Sequence, residues 1–353
     1  MSTKSLILGG LRLLVAMPFF SFSSLKSTLY RMLGAKIGTQ VKFGSGAFIQ
    51  VYDFKRLTIG DGVEFGRNVR ISCDAIEIGD DTRVSHGVVA VGPSALKVGR
   101  SCYLAPKVYI DLNEAVIIED DVGIGADYIF THSVWHPVTE GGPRKFAPVH
   151  LKKGAWIPAG VFIMPGVTIG ERATVGARSL VIDDVPDGCL AVGVPARVVK
   201  TAAENFTQVS SEQKDRLVRG IIDEYLKVMG KSTRITENRH ADGDLEVIEI
   251  ESRGKGFLKR TNSLVLVYTS QVLDDSLLEH LRAFCRRFNS VLLVSLGPIP
   301  QGILDTFRAS ELKNMVWFSI ASKVRRKSWN PDAVALHNFF RSHYGIRFKF
   351  YQA

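Results

Sequence analysis

Residues 155–176 read AWIPAGVFIMPGVTIGERATVG, and the spacing inside this stretch decides the fold. Ile157, Ile163, Ile169 and Val175 recur every six positions, and Pro158, Gly170 and Gly176 directly follow three of them. Val161, Val167 and Ala173 stand four places after the first three. A period of six fits neither an amphipathic helix nor a simple alternating strand. It suits short extended segments with a tight turn every six residues, the glycines supplying the backbone geometry of the turn. Three such segments make a triangular coil of about eighteen residues, and coils stack as the strands of a parallel sheet.

The same hexads run backwards through Ile124-Gly125, Leu104-Ala105, Val98-Gly99, Ile78-Gly79, Phe65-Gly66 and Ile59-Gly60. Ile59, Ile78, Val98 and Ile118 lie 19, 20 and 20 residues apart, and Leu151 precedes Ile169 by 18. The extra residues collect at one corner, after Ile71, after Ala90 and after Ile110. The stretch DYIFTHSVWHPVTEGGPRKFAP, residues 127–148, breaks the repeat, and its long polar insertion begins after Phe130 at that same corner. This register sets Ile110-Asp111-Leu112-Asn113 one coil below Phe130-Thr131-His132-Ser133. Stacked strands are roughly 4.8 Å apart, so Asp111, Asn113 and His132 are expected to meet beside the insertion. A hydrophobic solenoid has little structural use for such a cluster. Within the insertion, Trp135 and His136 are candidates for contact with a substrate, against packing or plain solvation.

Residues 36–200 resemble the hexapeptide-repeat acyltransferases, in particular the maltose, galactoside and polysaccharide O-acetyltransferase branch. The motifs that carry the resemblance are THS at 131–133, PGVTIGERATVGARSLV at 165–181 and DVPDGCLAVGVPARVVK at 184–200. It implies a left-handed parallel β-helix, a homotrimer, an acetyl-CoA donor bound between subunits, and no metal. It further implies direct acetyl transfer to a hydroxyl of a cell-surface polysaccharide, lipopolysaccharide or glycan precursor. His132 would be the base, since a neutral imidazole matches proton removal from an attacking hydroxyl near neutral pH. Asp111 or Asn113 would orient it or hold the sugar. Gly160 and Ala177 would lie along the pantetheine arm, and Arg197 and Lys200 would meet the CoA phosphates. Two departures bear on those donor contacts: Pro158 replaces the usual glycine, and Asp183 a common basic residue.

The remaining sequence sets limits. At 353 residues the chain has room for two cores. Its formal charge of +10 favours a polyanionic partner: nucleic acid, an anionic membrane, or a phosphate-rich small molecule. Without a recognised motif, nucleic acid is not expected as a partner. Four scattered cysteines without a CxxC pair read as small buried residues of a reducing compartment.

Residues 1–35 form a helical cap or a membrane-interface segment in which Lys4, Arg12, Lys26 and Arg31 would face lipid headgroups. That places the protein in the cytoplasm, at the inner face of the membrane, as a peripheral protein. Residues 201–230 read as a capping helix, opened by Ser210 and Gln213, stopped at Gly230, with an apolar stripe of Leu217, Ile221, Tyr225 and Met229. Residues 231–353 alternate apolar runs with helical patterns and make a small α/β domain without a GxGxxG or GxxxxGK[ST] loop. Two rival readings remain at this stage. One is a zinc enzyme of the carbonic-anhydrase type using His86, His132 and His136; the other is a non-catalytic scaffold.

Overall fold

The computed structural model describes residues 23–353, apart from 135, 233, 243–244, 254–260, 308–311, 313 and 351–353. The chain divides into two compact units between Thr207 and Gln208.

The first unit is a parallel β-helix whose three faces are sheets of seven, nine and seven strands. One column of paired residues runs Ile37, Ile59, Ile78, Val98, Ile118, Leu151 and Ile169, as the spacing predicts. The second face stacks Phe43, Phe65, Val84, Leu104, Ile124 and Ile157. The third stacks Ile49, Ile71, Ala90, Ile110, Ile129, Ile163 and Val181. These columns share one continuous core. Each fully buried aliphatic side chain contributes on the order of 1.5–3 kcal/mol by leaving water.

The hexad glycines act through close approach and not through unusual backbone angles. A Cβ on Gly60 would lie 2.7 Å from the Asp80 nitrogen of the next coil, and one on Gly99 would lie 2.5 Å from the Asp120 nitrogen. The left-handed positions of the turns fall elsewhere, at residues such as Gly62, Asp81, Ser101 and Asp121.

At one corner these coils place four residues between their second and third faces, the third of them left-handed: Asn68, Gly87, Lys107, Gly160 and Arg178. Among the described coils, only Gly125-Ala126-Asp127 makes that turn in three residues. The shorter turn advances the next strand by one residue. Tyr109 therefore pairs with Tyr128 and Ile110 with Ile129, one position off the expected stacking of Phe130 over Ile110.

The helix Ser23–Met32 packs on the first coil. Tyr30 is fully buried and donates its hydroxyl to Ile49 O at 2.9 Å. Arg31 donates to Ile37 O and Gly38 O at 3.1 and 2.6 Å. Lys26 does not face outward toward headgroups as expected. It is 1 % exposed and reaches Ala47 O, and burial pulls its pKa down to about 8. Lys4 and Arg12 lie outside the described residues. Among the described residues, no helix is long and apolar enough to cross a membrane.

The second unit is a seven-stranded sheet in sequence order, with parallel pairing through Thr261–Thr269, Ser290–Ser295 and Met315–Ser319. Helices Asp275–Arg287 and Gln301–Thr306 cover one face, over Val265, Val267, Val291 and Leu293. Helices Ser211–Ser232 and Pro331–Tyr344 cover the other, over Leu264, Leu266, Leu292 and Val294. Strand Ser290–Ser295, buried on both sides, is apolar between its terminal serines for that reason.

The helix expected to end the first domain is thus part of the second core. Ser210 and Gln213 form the reciprocal cap at its start, with bonds of 2.8 and 3.3 Å. The helix runs past Gly230 to Ser232. Its buried stripe is Val218, Ile221, Ile222, Tyr225 and Leu226, while Leu217 is exposed.

Candidate active site

The polar insertion is a β-hairpin that leaves the coil at its third corner. Strand His132–Val134 pairs antiparallel with Arg144–Phe146, His132 opposite Phe146. A turn at Val138–Glu140 closes the ribbon, ending on Gly141 in the left-handed conformation. Ala147 N returns to Thr131 O at 3.0 Å, which fastens both legs of the hairpin to the coil.

At its base lies a buried carboxylate. Asp111 is 4 % exposed, and its Oδ2 accepts from Thr131 N and Thr131 Oγ1, each at 3.0 Å. His132 Nδ1 lies 2.6 Å from the same oxygen, and Asn113 Nδ2 donates to Oδ1 at 2.6 Å. Burial pushes the Asp111 carboxyl upward. The bonds from His132, Thr131 and Asn113 outweigh it, and the net displacement is below the usual carboxylate range.

An ionised Asp111 assigns the tautomer of His132. Nδ1 carries the proton and donates it to the carboxylate, and Nε2 keeps a lone pair. Asn113 Nδ2 also lies 3.0 Å from Nδ1, but its shorter bond to Asp111 fixes the amide orientation. The His132 side chain is 35 % exposed, so the imidazole is open to solvent on part of its surface. Phe146 lines the imidazole, its ring centre 5.5 Å away. Such a group can accept a proton from a bound hydroxyl without moving.

The structure therefore brings Asp111, Asn113 and His132 to one corner despite the one-residue slip. His136 is exposed on the hairpin, and Trp135 lies outside the described residues. Thr131, which holds both the carboxylate and the Glu114 N–H (2.9 Å), belongs to the cluster as well. Its place in THS is the one signal in the sequence that points to it.

The expected donor residues occupy a different corner. Ala159-Gly160 stacks directly against Ala177-Arg178, with Arg178 N donating to Ala159 O at 3.2 Å. The turn leaves Ala177 and Arg178 as an exposed strip. Arg197 and Lys200 stand on the terminal hairpin formed by Leu190–Gly193 and Ala196–Lys200. Arg197 Nη1 is bound to Asp183 Oδ2 at 3.1 Å, so the unusual acid already engages the expected phosphate ligand. Among the described residues, no group of three His, Cys, Asp or Glu side chains is placed to hold a metal ion. The four cysteines are free and buried.

No protein-family model matches the chain. Over 126 residues it is 32 % identical to the galactoside O-acetyltransferase of Escherichia coli (strain K12), a match covering 35 % of this chain and 62 % of that protein. Over 109 residues it is 29 % identical to the galactoside O-acetyltransferase of Lactococcus lactis subsp. lactis (strain IL1403), covering 28 % and 53 %. The chain is similar to the galactoside O-acetyltransferases, in the branch its motifs point to. It spans about half to three-fifths of the length of these two relatives. The crystal structure of a maltose O-acetyltransferase from Clostridium difficile 630 aligns with 56 % of this chain and 86 % of its own, at 21 % identity and a TM-score of 0.33.

Proposed function

We propose that this chain is an acetyl-CoA-dependent O-acetyltransferase acting on a cell-surface polysaccharide, lipopolysaccharide or glycan precursor. The observation that carries the reading is the Asp111–His132 pair at the base of the hairpin, 2.6 Å apart, within a chain similar to galactoside O-acetyltransferases.

In this reading the acceptor hydroxyl approaches the thioester while His132 Nε2 takes its proton. Asp111 steadies the imidazolium that forms, and Asn113 and Thr131 hold Asp111 in place. The new C–O bond forms as the C–S bond breaks, and the protonated histidine returns its proton to the departing thiolate. Acyl transfer is direct, with no covalent enzyme intermediate.

Base and donor strip lie at opposite edges of the third face. A second copy that brings its strip to the histidine corner of the first would complete the site, which favours a homotrimer. The outer surface of that face supports this arrangement. Tyr128 and Phe162 stack at 4.8 Å and are 42 % and 41 % exposed, an apolar area suited to being covered. On this reading the enzyme works in the cytoplasm, at the inner face of the membrane where such acceptors would be presented.

Mass spectrometry of surface glycans from cells with and without the gene tests the function. Loss of an acetyl increment on one glycan is the expected result. Unchanged glycan acetylation would remove the proposed substrate class.

A further inference from the structure

The hairpin that carries His132 carries a cation on the same face. Pairing sets His132 opposite Phe146 and Val134 opposite Arg144. Side chains alternate along a strand, so these four share one face of the ribbon, and Ser133 and Lys145 share the other. The Phe146 ring lies between the two functional groups. His132 is 5.5 Å from it, ring centre to ring centre, and Arg144 Cζ lies over it at 4.7 Å. Strand Arg144–Phe146 is exposed at every residue. Some arginines of the β-helix have carboxylate partners, Arg83 with Glu64, Arg100 with Asp120 and Arg197 with Asp183, while Arg67, Arg70, Arg172 and Arg178 pair with none among the described residues. Among the described residues, Arg144 has no such partner.

We infer that the acceptor bears an anionic group, a carboxylate or a phosphate ester, and that Arg144 holds it while the reacting hydroxyl faces His132. The inference rests on the O-acetyltransferase reading. A guanidinium over an aromatic ring is restrained, and its N–H fork matches a carboxylate or phosphate through two parallel hydrogen bonds. Diagonal neighbours on an antiparallel ribbon are roughly 7–8 Å apart. A single sugar ring spans that separation between a hydroxyl and a charged substituent. Phe146, between the two, offers an apolar platform for the ring face. A neutral hexoside would satisfy the histidine and the platform but leave Arg144 solvated, so Arg144 separates acidic from neutral acceptors.

The test uses the full-length protein and matched aryl glycosides: a hexose, its uronate, and its 6-phosphate. Acetyl transfer gives kcat and KM, and calorimetric titration of the CoA-loaded protein gives affinity without turnover. The wild type is expected to favour an anionic member by about ten-fold or more, through KM and Kd and not kcat, the scale of a hydrogen bond to a charged group. Arg144→Gln should erase the preference, and Arg144→Lys should restore part of it, keeping charge without the fork. Lys145→Gln, on the opposite face, should retain it. The uronate and phosphate arms show which anion is meant. If the wild type shows no preference in either measurement, or if Arg144→Gln keeps it, the inference is overturned. Failure of the protein to bind CoA would count against the acyltransferase reading instead. Titration of the three glycosides into the unloaded protein would then still decide whether Arg144 binds the anion.

Discussion

Asp111 and His132 stand 21 positions apart in the chain, yet Asp111 Oδ2 and His132 Nδ1 are separated by 2.6 Å. The coil length produces this contact, because one turn of the solenoid returns the backbone to the same corner. Replacing His132 with Ala should lower acetyl transfer by about 10²–10⁴-fold, the range for a lost general base, while CoA binding persists. Asp111→Asn should cost less. Its amide must turn an N–H₂ toward donors that now meet a carboxylate, so the tautomer of His132 loses its anchor. Nitrogen NMR of the His132 ring reads that directly. Wild-type turnover in His132→Ala would remove the histidine from the chemistry.

A second buried acid gives a prediction about pH. Asp127 is fully buried where coils above and below carry Val161 and Val108. Its Oδ1 accepts from Val161 N at 2.8 Å, and its Oδ2 has no hydrogen-bond partner. Burial raises its pKa to about 7, against the opposing pull of the Val161, Gly125 and Gly160 N–H groups. The protonated form is therefore favoured by folding. The stability it contributes is fully present below the ordinary carboxyl value and is lost as pH rises through about 7. Asp127→Asn keeps an acceptor for Val161 N and cannot ionise. Thermal unfolding at several pH values should show wild type losing ground to this variant between pH 4 and about 8. Parallel curves for the two proteins would mean that Asp127 stays ionised in the fold.

Much of this architecture is legible in the sequence, and the parts that are not have definite causes. The aliphatic columns announce themselves because each coil must bury one branched side chain per face, so period six survives variation elsewhere. The polar corner is legible because Asp111, Asn113 and His132 violate that rule together. The slip at Ile129 is hidden, since a three-residue turn at Gly125-Ala126-Asp127 leaves both neighbouring hexads intact. The inward reach of Lys26 is equally hidden. A lysine in an amphipathic segment reads as a surface charge until a carbonyl such as that of Ala47 is seen beneath it. Arg144 has no signal at all, since only hairpin pairing sets it beside Phe146 and His132.

Donor binding should respond to the Arg197–Asp183 pair. Both side chains are well exposed, so the pair itself adds little stability. It would compete with a CoA phosphate for the same guanidinium. Asp183→Ala should tighten CoA binding, and Arg197→Ala with Lys200→Ala should weaken it, more for CoA than for dephospho-CoA. Rising salt should reduce the differences. Isothermal titration with both ligands measures this. Equal losses for the two would show that Arg197 and Lys200 do not read the 3′-phosphate.

The second unit should be dispensable for the chemical step. The residues assigned to base, polar corner and donor tail all precede Thr207, and the β-helix core ends at Ala196. The two cores of the second unit begin only at Val218 and Leu245. A chain ending at Thr207 therefore keeps every buried residue of the solenoid. A cut near residue 231 would not serve, because it strands Val218, Ile221, Ile222, Tyr225 and Leu226 without the sheet they cover. The Thr207 truncation should bind CoA and acetylate a small sugar as the full chain does. Transfer to the native glycan should fall if the α/β unit holds the acceptor polymer. Light scattering establishes whether the truncated protein keeps the assembly state of the full chain. With that state unchanged, equal loss of activity on both acceptors would refute this division of labour, and equal retention would show that the α/β unit does not hold the glycan.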